Sequence, residues 1–361
     1  MFLLEPSAPL ITGGTAFLVV ALFTLIYIAP FYLSPTLRSS PLNSRDCPAV
    51  IKARVRAVGL TCLACTVITA YILAFYGHAD PRETLRLLGV FPVDLIDVVK
   101  VLGLVMVLFA CSIYENVLVD GEWHEWSLTA FKAALWDDWI GYRNLVVAPA
   151  SEEIVFRSLS VPLFLLAKMD PTRIVFITPL IFGLAHLHHL VEFLTSRTPI
   201  GHRWPPLGIW ISGILRSTFQ FAYTSLFGFF AAFVFLRTGN LFACIIAHSF
   251  CNRMGVPRLW GRVGQVDLIE QGEATPGVAQ GKRSDDDVQM PGSPVKVGNS
   301  LLQPDDGGKD EVRAARATLQ QPKSKGLTWT VVYYALLLGG AYGFWHFLWP
   351  LTRSEKVLVA W

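Results

Sequence analysis

Charge is scarce in this chain. Charged side chains make up 16% of its 361 residues and hydrophobic ones 53%, a balance outside the usual range of water-soluble domains. Water is therefore not its main solvent. Neither sign of charge dominates: 30 Lys and Arg stand against 27 Asp and Glu, a net +3. The basic residues are scattered among connecting segments and form no stripe, so a nucleic-acid partner is not expected. Cysteine is sparse as well. The six, Cys47, Cys62, Cys65, Cys111, Cys244 and Cys251, fall mostly inside apolar stretches, which excludes a disulfide-stapled framework and predicts free thiols. Cys62 and Cys65 have CxxC spacing but no second pair nearby, and read as helix packing instead of a zinc ribbon. The start, Met1 to Pro9, has no Lys or Arg, so a cleavable signal is not expected and the first apolar run should stay as a membrane helix. The HExxH layout of the common zinc proteases is missing too.

What the chain has is long apolar runs. Spans of about 17 to 25 such residues cross a bilayer as helices, because unpaired backbone groups are too costly in lipid. About eight are expected, over 11–33, 57–76, 98–118, 145–167, 174–190, 207–236, 240–254 and 328–350. The fold class is thus an all-α integral membrane protein. Basic residues accumulate in cytosolic loops, and the first loop carries Arg38, Arg45, Lys52, Arg54 and Arg56 while the segment before Ile11 carries none. That puts the N-terminus outside the cytosol and the loops around 119–144, 191–206 and 255–327 inside it. Residues 1–260 form the helix bundle, 326–361 the last helix and a short tail. Between them, 261–325 is rich in Gly, Asp, Pro, Gln and Ser and is expected to be a disordered polar cytosolic loop.

An ionisable side chain inside a membrane helix needs a partner or a job. Three clusters meet that description. In the first, Glu152 and Glu153 follow Pro149, and Glu153 pairs naturally with Arg157 one turn on, which leaves Glu152 about 100° away and available for chemistry. In the second, His186 and His189 share a face, with Phe182 one turn earlier. In the third, His248 and Asn252 are four apart on one face. Helix counting places all three clusters in the cytosolic half, so they can line one intramembrane cavity that opens to the cytosol. Two mechanisms suit this set. Without a metal, Glu152 acts as general base on a water held with His186, while His248 and Asn252 stabilise the oxyanion. With one, His186, His189 or His248 and a carboxylate form a zinc site with an open position. A thiol mechanism through Cys251 is weaker, because that residue lies about 300° around the helix from His248.

These clusters resemble those of the eukaryotic type II CAAX prenyl proteases, within the wider family of CAAX proteases and bacteriocin-processing enzymes. The shared motifs are EExxxR (Glu152, Glu153, Arg157), FxxxH (Phe182, His186) and HxxxN (His248, Asn252). Ala185 to Glu192, Phe219 to Gly228, Arg237 to Asn240 and His248 to Pro257 are similar to the same branch, so the resemblance covers roughly 50–260. It implies a multi-pass endoplasmic-reticulum enzyme that removes the last three residues of isoprenylated, Ras-like CAAX proteins, farnesylated or geranylgeranylated. It also implies no metal or other cofactor, with Glu152 and His186 activating water and His248 and Asn252 forming the oxyanion hole. Glu153, Arg157 and His189 then support the site. A prenyl chain lies in lipid while its peptide begins at the surface, which suits cutting at shallow depth. Arg216, Gln220 and Tyr223, spaced i, i+4, i+7, form a polar stripe placed to line the cavity. The expected partners are such substrates and membrane lipid, with the protein acting as a monomer. The rival readings are a non-catalytic scaffold or chaperone for lipidated proteins, the metal-dependent protease on the same residues, and a solute transporter. The transporter is disfavoured by the lack of an inverted repeat.

Overall fold

Helices that satisfy their own backbone are the economical solution for a chain this apolar, and among the described residues all regular structure is helical. The computed structural model describes residues 9–38, 44–199, 201–264 and 325–359. Its main elements are α1 (Gly13–Leu33), α2 (Pro48–Phe75), α3 (Leu95–Leu108), α4 (Ala148–Glu153), α5 (Pro171–Ala185), α6 (Leu207–Thr238), α7 (Leu241–Met254) and α8 (Leu327–Leu351). Short polar residues start several of them. Thr12, Asp94, Asp170 and Asn240 each accept hydrogen bonds from first-turn N–H groups, groups that otherwise lack a partner inside the helix.

Five stretches are long and apolar enough to cross a membrane: α1, α2, Pro171–Arg197, α6 and α8. A sixth exists if α3 and Ala110–Val119, bent by 75° at Phe109, count as one. The span expected over 98–118 is therefore broken, and the carbonyls of Val107 and Leu108 at the break lie against Gly340 of α8. The span expected over 145–167 is also in pieces, with π-helical turns at Arg143–Val147 and Ile154–Leu159 on either side of α4 and Ser160–Leu166 completing it. α7 is 14 residues long, and α2 begins nine residues before the expected 57, at Pro48. That early start follows from side chains such as Lys52 and Arg56, which remain helical while reaching out of the apolar zone.

Successive helices alternate between two ends of the bundle. At one end, Glu192 holds Arg45 and Arg54 at 3.2 and 2.8 Å, Asp46 holds Arg143 at 2.9 Å, and Glu115 holds Arg258 at 3.0 Å. The first loop, the entry to α4, the helix His188–Arg197 and the segment after α7 therefore share one face. The opposite end is tied by Asp97 with Ser354 (2.5 Å), Asp94 with Lys356 (3.1 Å) and Leu358 N–H to the Leu236 carbonyl (2.9 Å). Phe156, Phe164, Phe182 and Phe235 fill the core, and Leu60, Leu63, Leu338 and Trp345 are exposed on the outside, as expected of walls that face lipid.

α5 and α6 are in tight contact at two glycines. A Cβ on Gly183 would lie 2.5 Å from Ser225 Oγ and 2.9 Å from Phe221 Cδ2, and one on Gly228 would lie 2.6 Å from Pro179 Cβ. Small residues at helix crossings permit this kind of contact. Gly183→Ala is expected to cost about 1–3 kcal/mol through overpacking and to displace His186, three residues on. Gly103→Ala, where a Cβ would meet nothing within 4 Å, is expected to be neutral or mildly stabilising. Thermal melting of both variants in detergent checks the contrast, and equal melting would sink it.

The polar loop expected over 261–325 lies outside the described residues except at its edges. Those edges are adjacent: a Cβ on Gly264 would lie 2.9 Å from Lys325 Cγ. Closing so short a gap needs little chain, so replacing 265–324 by a short Gly-Ser link is expected to leave the melting temperature unchanged within a few degrees. A large drop would show that those residues contribute to the fold.

Candidate active site

Local sequence explains how each functional side chain is presented. Glu152 and Glu153 occupy the last turn of α4, just before the π-helical turn Ile154–Leu159. A wide turn of this kind rotates the following residues relative to an α-helix and recurs at functional positions. Glu153 is fully buried, and its Oε1 accepts from Arg157 Nη1 at 3.0 Å. The Arg157 guanidinium also lies over the Phe182 ring at 4.6 Å and the Phe227 ring at 5.7 Å. This places the cation between a carboxylate and two aromatic faces, the surroundings in which a buried guanidinium is least costly.

The same Glu153 oxygen accepts a 2.7 Å hydrogen bond from His248 Nδ1. A carboxylate orienting one nitrogen of an imidazole fixes which nitrogen faces the site, and His248 turns its Nε2 toward Glu152 Oε2, 3.8 Å away. His186 is fixed from its own chain. α5 ends at Ala185, and His186 Nδ1 is 2.8 Å from the Phe182 carbonyl. A carbonyl only accepts, so Nδ1 carries the proton and Nε2 presents a lone pair. That Nε2 is 4.0 Å from Glu152 Oε2. Separations of 3.8 and 4.0 Å are too long for direct hydrogen bonds, and they leave room for a water that touches both partners. The Phe182 ring meets His186 edge-on at 4.6 Å, and Phe227 packs on His248 at 4.5 Å. Glu152, Glu153, Arg157, His186 and His248 thus form one cluster assembled from three stretches of chain.

Other candidates are placed differently. Asn252 is exposed, and its Nδ2 donates to the Asn144 carbonyl at 3.0 Å, an interaction with the entry to α4 and not with Glu152. His189 follows the break after α5, and its Nδ1 is 3.2 Å from Glu192 Oε2 and 3.4 Å from Arg45 Nη1. It belongs to a neighbouring polar group, though its ring centroid is 5.8 Å from that of His186. In α6, Arg216 lies over Phe193 at 5.4 Å, and the Tyr223 phenol interacts with Gln220 within electrostatic reach of both Arg216 and Glu152. Of the stripe, Tyr223 is the residue within electrostatic reach of Glu152. Cys251 packs at the edge of the hydrophobic core.

Among the described residues, His188, His189 and Glu192 are the one group of three ligating side chains with donor atoms mutually within 4.8 Å. Glu192 is already paired with Arg45 and Arg54, and two cations beside a carboxylate oppose a third.

Sequence reasoning missed Tyr27, whose hydroxyl bonds Ser151 Oγ at 2.8 Å directly beside Glu152, and Phe227. Both lie in membrane-spanning stretches, where a Tyr or Phe carries no signal of its own. It also passed over Glu192, although a carboxylate in an apolar stretch signals a partner.

Residues 134–254 match a family model described as Type II CAAX prenyl endopeptidase Rce1-like. The chain is 34% identical over 248 residues to the Probable CAAX prenyl protease 2 of Schizosaccharomyces pombe, covering 69% of this chain and 83% of the relative. It is 32% identical over 258 residues to the CAAX prenyl protease 2 of Homo sapiens, covering 66% and 71% respectively. The Saccharomyces cerevisiae protein of that name is 26% identical over 273 residues, covering 67% and 80%. No solved structure matches the chain.

Proposed function

Because this chain belongs to the type II CAAX prenyl endopeptidase family, as its kinship with the fission-yeast and human proteins establishes, we propose that it removes the C-terminal aaX tripeptide from isoprenylated CAAX proteins. The observation that carries the reading is the placing of Glu152 Oε2 between His186 Nε2 and His248 Nε2, at 4.0 and 3.8 Å. A water in the gap donates to Glu152 and to the free Nε2 of His186. Glu152 takes its proton as the oxygen attacks the carbonyl of the prenylated cysteine. His248, its Nδ1–H directed at Glu153, stabilises the resulting oxyanion through Nε2 when the ring carries its second proton, and Glu153 offsets that positive charge. Asn252 joins as a second donor by turning from the Asn144 carbonyl. The C–N bond then breaks, Glu152 returns the proton to the leaving amine, and the products are a prenylcysteine carboxylate and a free tripeptide. Glu153 and Arg157 act as positioning residues.

Location follows the same logic. The basic first loop and the start of α2 meet the site's end of the bundle through Arg45 and Arg54, which supports a site facing the cytosol. We assign the protein to the endoplasmic reticulum on the motif resemblance alone. There a prenyl chain dissolved in lipid would deliver its peptide at the depth of Glu152. A metal-dependent variant draws less support, since Glu152, His186 and His248 are not among the described groups whose donors converge within 4.8 Å.

The test is release of the tripeptide from a farnesylated CAAX peptide by the purified protein in detergent, with and without a strong chelator. Chelator-resistant release is the expected result. Chelator-sensitive release would move the mechanism to a metal, and no release would favour a scaffold for lipidated proteins. Arg216→Ala is expected to raise KM about tenfold with little change in kcat, as loss of one charged contact to a peptide carboxylate predicts. Unchanged kinetics would remove Arg216 from the substrate cavity.

A further inference from the structure

Away from the catalytic cluster, α2 carries a continuous outward face. Leu60, Leu63, Val67 and Tyr71 are all exposed on it, and their spacing is that of one helical stripe. Lys52 and Arg56 extend the stripe by two turns toward the end of the bundle that holds the basic first loop. There the two cations border a cavity of about 540 Å³, whose remaining lining is Val55, Trp136, Trp139 and Tyr142. Lys52 Nζ lies 4.6 Å over the Trp139 ring, and the Tyr142 ring is 5.5 Å from Trp136 and 5.9 Å from Trp139. Arg56 is exposed and has no acidic partner among the described residues. Asp138 accepts from the N–H groups of Ile140 and Gly141, at 3.2 and 3.1 Å, and neither it nor the exposed Asp137 lines the cavity.

The segment beside this cavity exposes Trp123, Trp126, Leu128, Phe131 and Trp136. Exposed tryptophans next to an apolar wall mark the level of the lipid headgroups. An apolar stripe that ends in two cations and an aromatic rim matches one ligand chemistry, a phosphate attached to acyl chains. From this juxtaposition we infer that the cavity between the start of α2 and residues 136–142 is a binding site for an anionic membrane phospholipid. Its phosphate sits between Lys52 and Arg56, its glycerol backbone lies against Trp136 and Trp139, and an acyl chain runs along Leu60, Leu63 and Val67. The site is separate from Glu152 and does not depend on the proposed reaction.

The experiment is native mass spectrometry of the full-length protein released from phosphatidylcholine nanodiscs doped with phosphatidylserine. The expected result is retention of phosphatidylserine in preference to phosphatidylcholine. Retention should weaken about 30-fold in the Lys52→Ala, Arg56→Ala double variant, the effect of removing two basic side chains at an anionic surface. It should persist in the Lys52→Arg, Arg56→Lys exchange. Melting curves identify any misfolded variant, and Trp136→Ala then provides an independent test, with weaker retention expected at unchanged charge. Equal retention of both lipids, or retention indifferent to the double substitution, would overturn the site. Displacement of phosphatidylserine by inorganic phosphate or glycerol 3-phosphate at similar concentration would overturn its assignment to a lipid.

Discussion

Glu152→Gln is expected to reduce tripeptide release by on the order of a thousandfold or more while leaving the protein as stable as the wild type. Magnitude and selectivity both follow from the site. A positioned general base is worth roughly 10²–10⁴ in rate, and in the proposed mechanism Glu152 also holds the attacking water, so its removal would take orientation away together with proton transfer. Stability is spared because, among the described residues, Glu152 makes no direct hydrogen bond: His186 and His248 are 4.0 and 3.8 Å away. The amide has the same shape and lacks only the basicity. His186→Ala should show a similar loss, and the double variant little more, since residues that act as a unit are not additive. Kinetics on a farnesylated CAAX peptide together with melting curves measure both quantities. Residual activity above about a tenth of wild type in Glu152→Gln would falsify the assignment of the base.

Glu153→Ala should behave in the opposite way, losing stability as well as activity. Glu153 is completely buried, and its Oε1 serves Arg157 at 3.0 Å and His248 at 2.7 Å. Removing it strands a buried guanidinium, for which the cost of breaking such a pair is about 3–5 kcal/mol. It also frees the His248 ring, so whatever protein remains folded should turn over slowly. Replacing Glu153 and Arg157 together by apolar residues of similar size should recover much of the stability, because no uncompensated charge is left, and none of the activity. Two adjacent carboxylates thus separate by experiment into one that does chemistry and one that holds the machinery. If Glu153→Ala melts like the wild type, the buried pair is not what organises this cluster.

How far the sequence could be read differs from residue to residue. The pairing of Glu153 with Arg157 was legible because i, i+4 spacing on a helix is local geometry, and the all-helical architecture because hydropathy over a span's length is additive along the chain. The approach of Glu152 to His186 and His248 was partly legible, since alternation of helices sets depth even when rotation is unknown. Rotation was not legible. The π-helical turns flanking Glu152, the 75° bend at Phe109 and the end of α5 at Ala185 depend on packing between helices that are far apart in the chain. Those breaks direct His189 to Glu192 and Asn252 to Asn144, where spacing alone suggested the common cavity.

The sequence by itself therefore determined the solvent of this protein, its helical class and the residue types of its candidate site, because each is set by composition or by neighbours within a turn. Only the tertiary structure decided which nitrogen of each histidine faces Glu152, that one buried carboxylate serves both Arg157 and His248, and that Tyr27 and Phe227 complete the surroundings. Those facts rest on distances of a few ångströms between segments as much as 124 residues apart, as from Tyr27 to Ser151. Such distances arise from how side chains fill shared space, which no local pattern records.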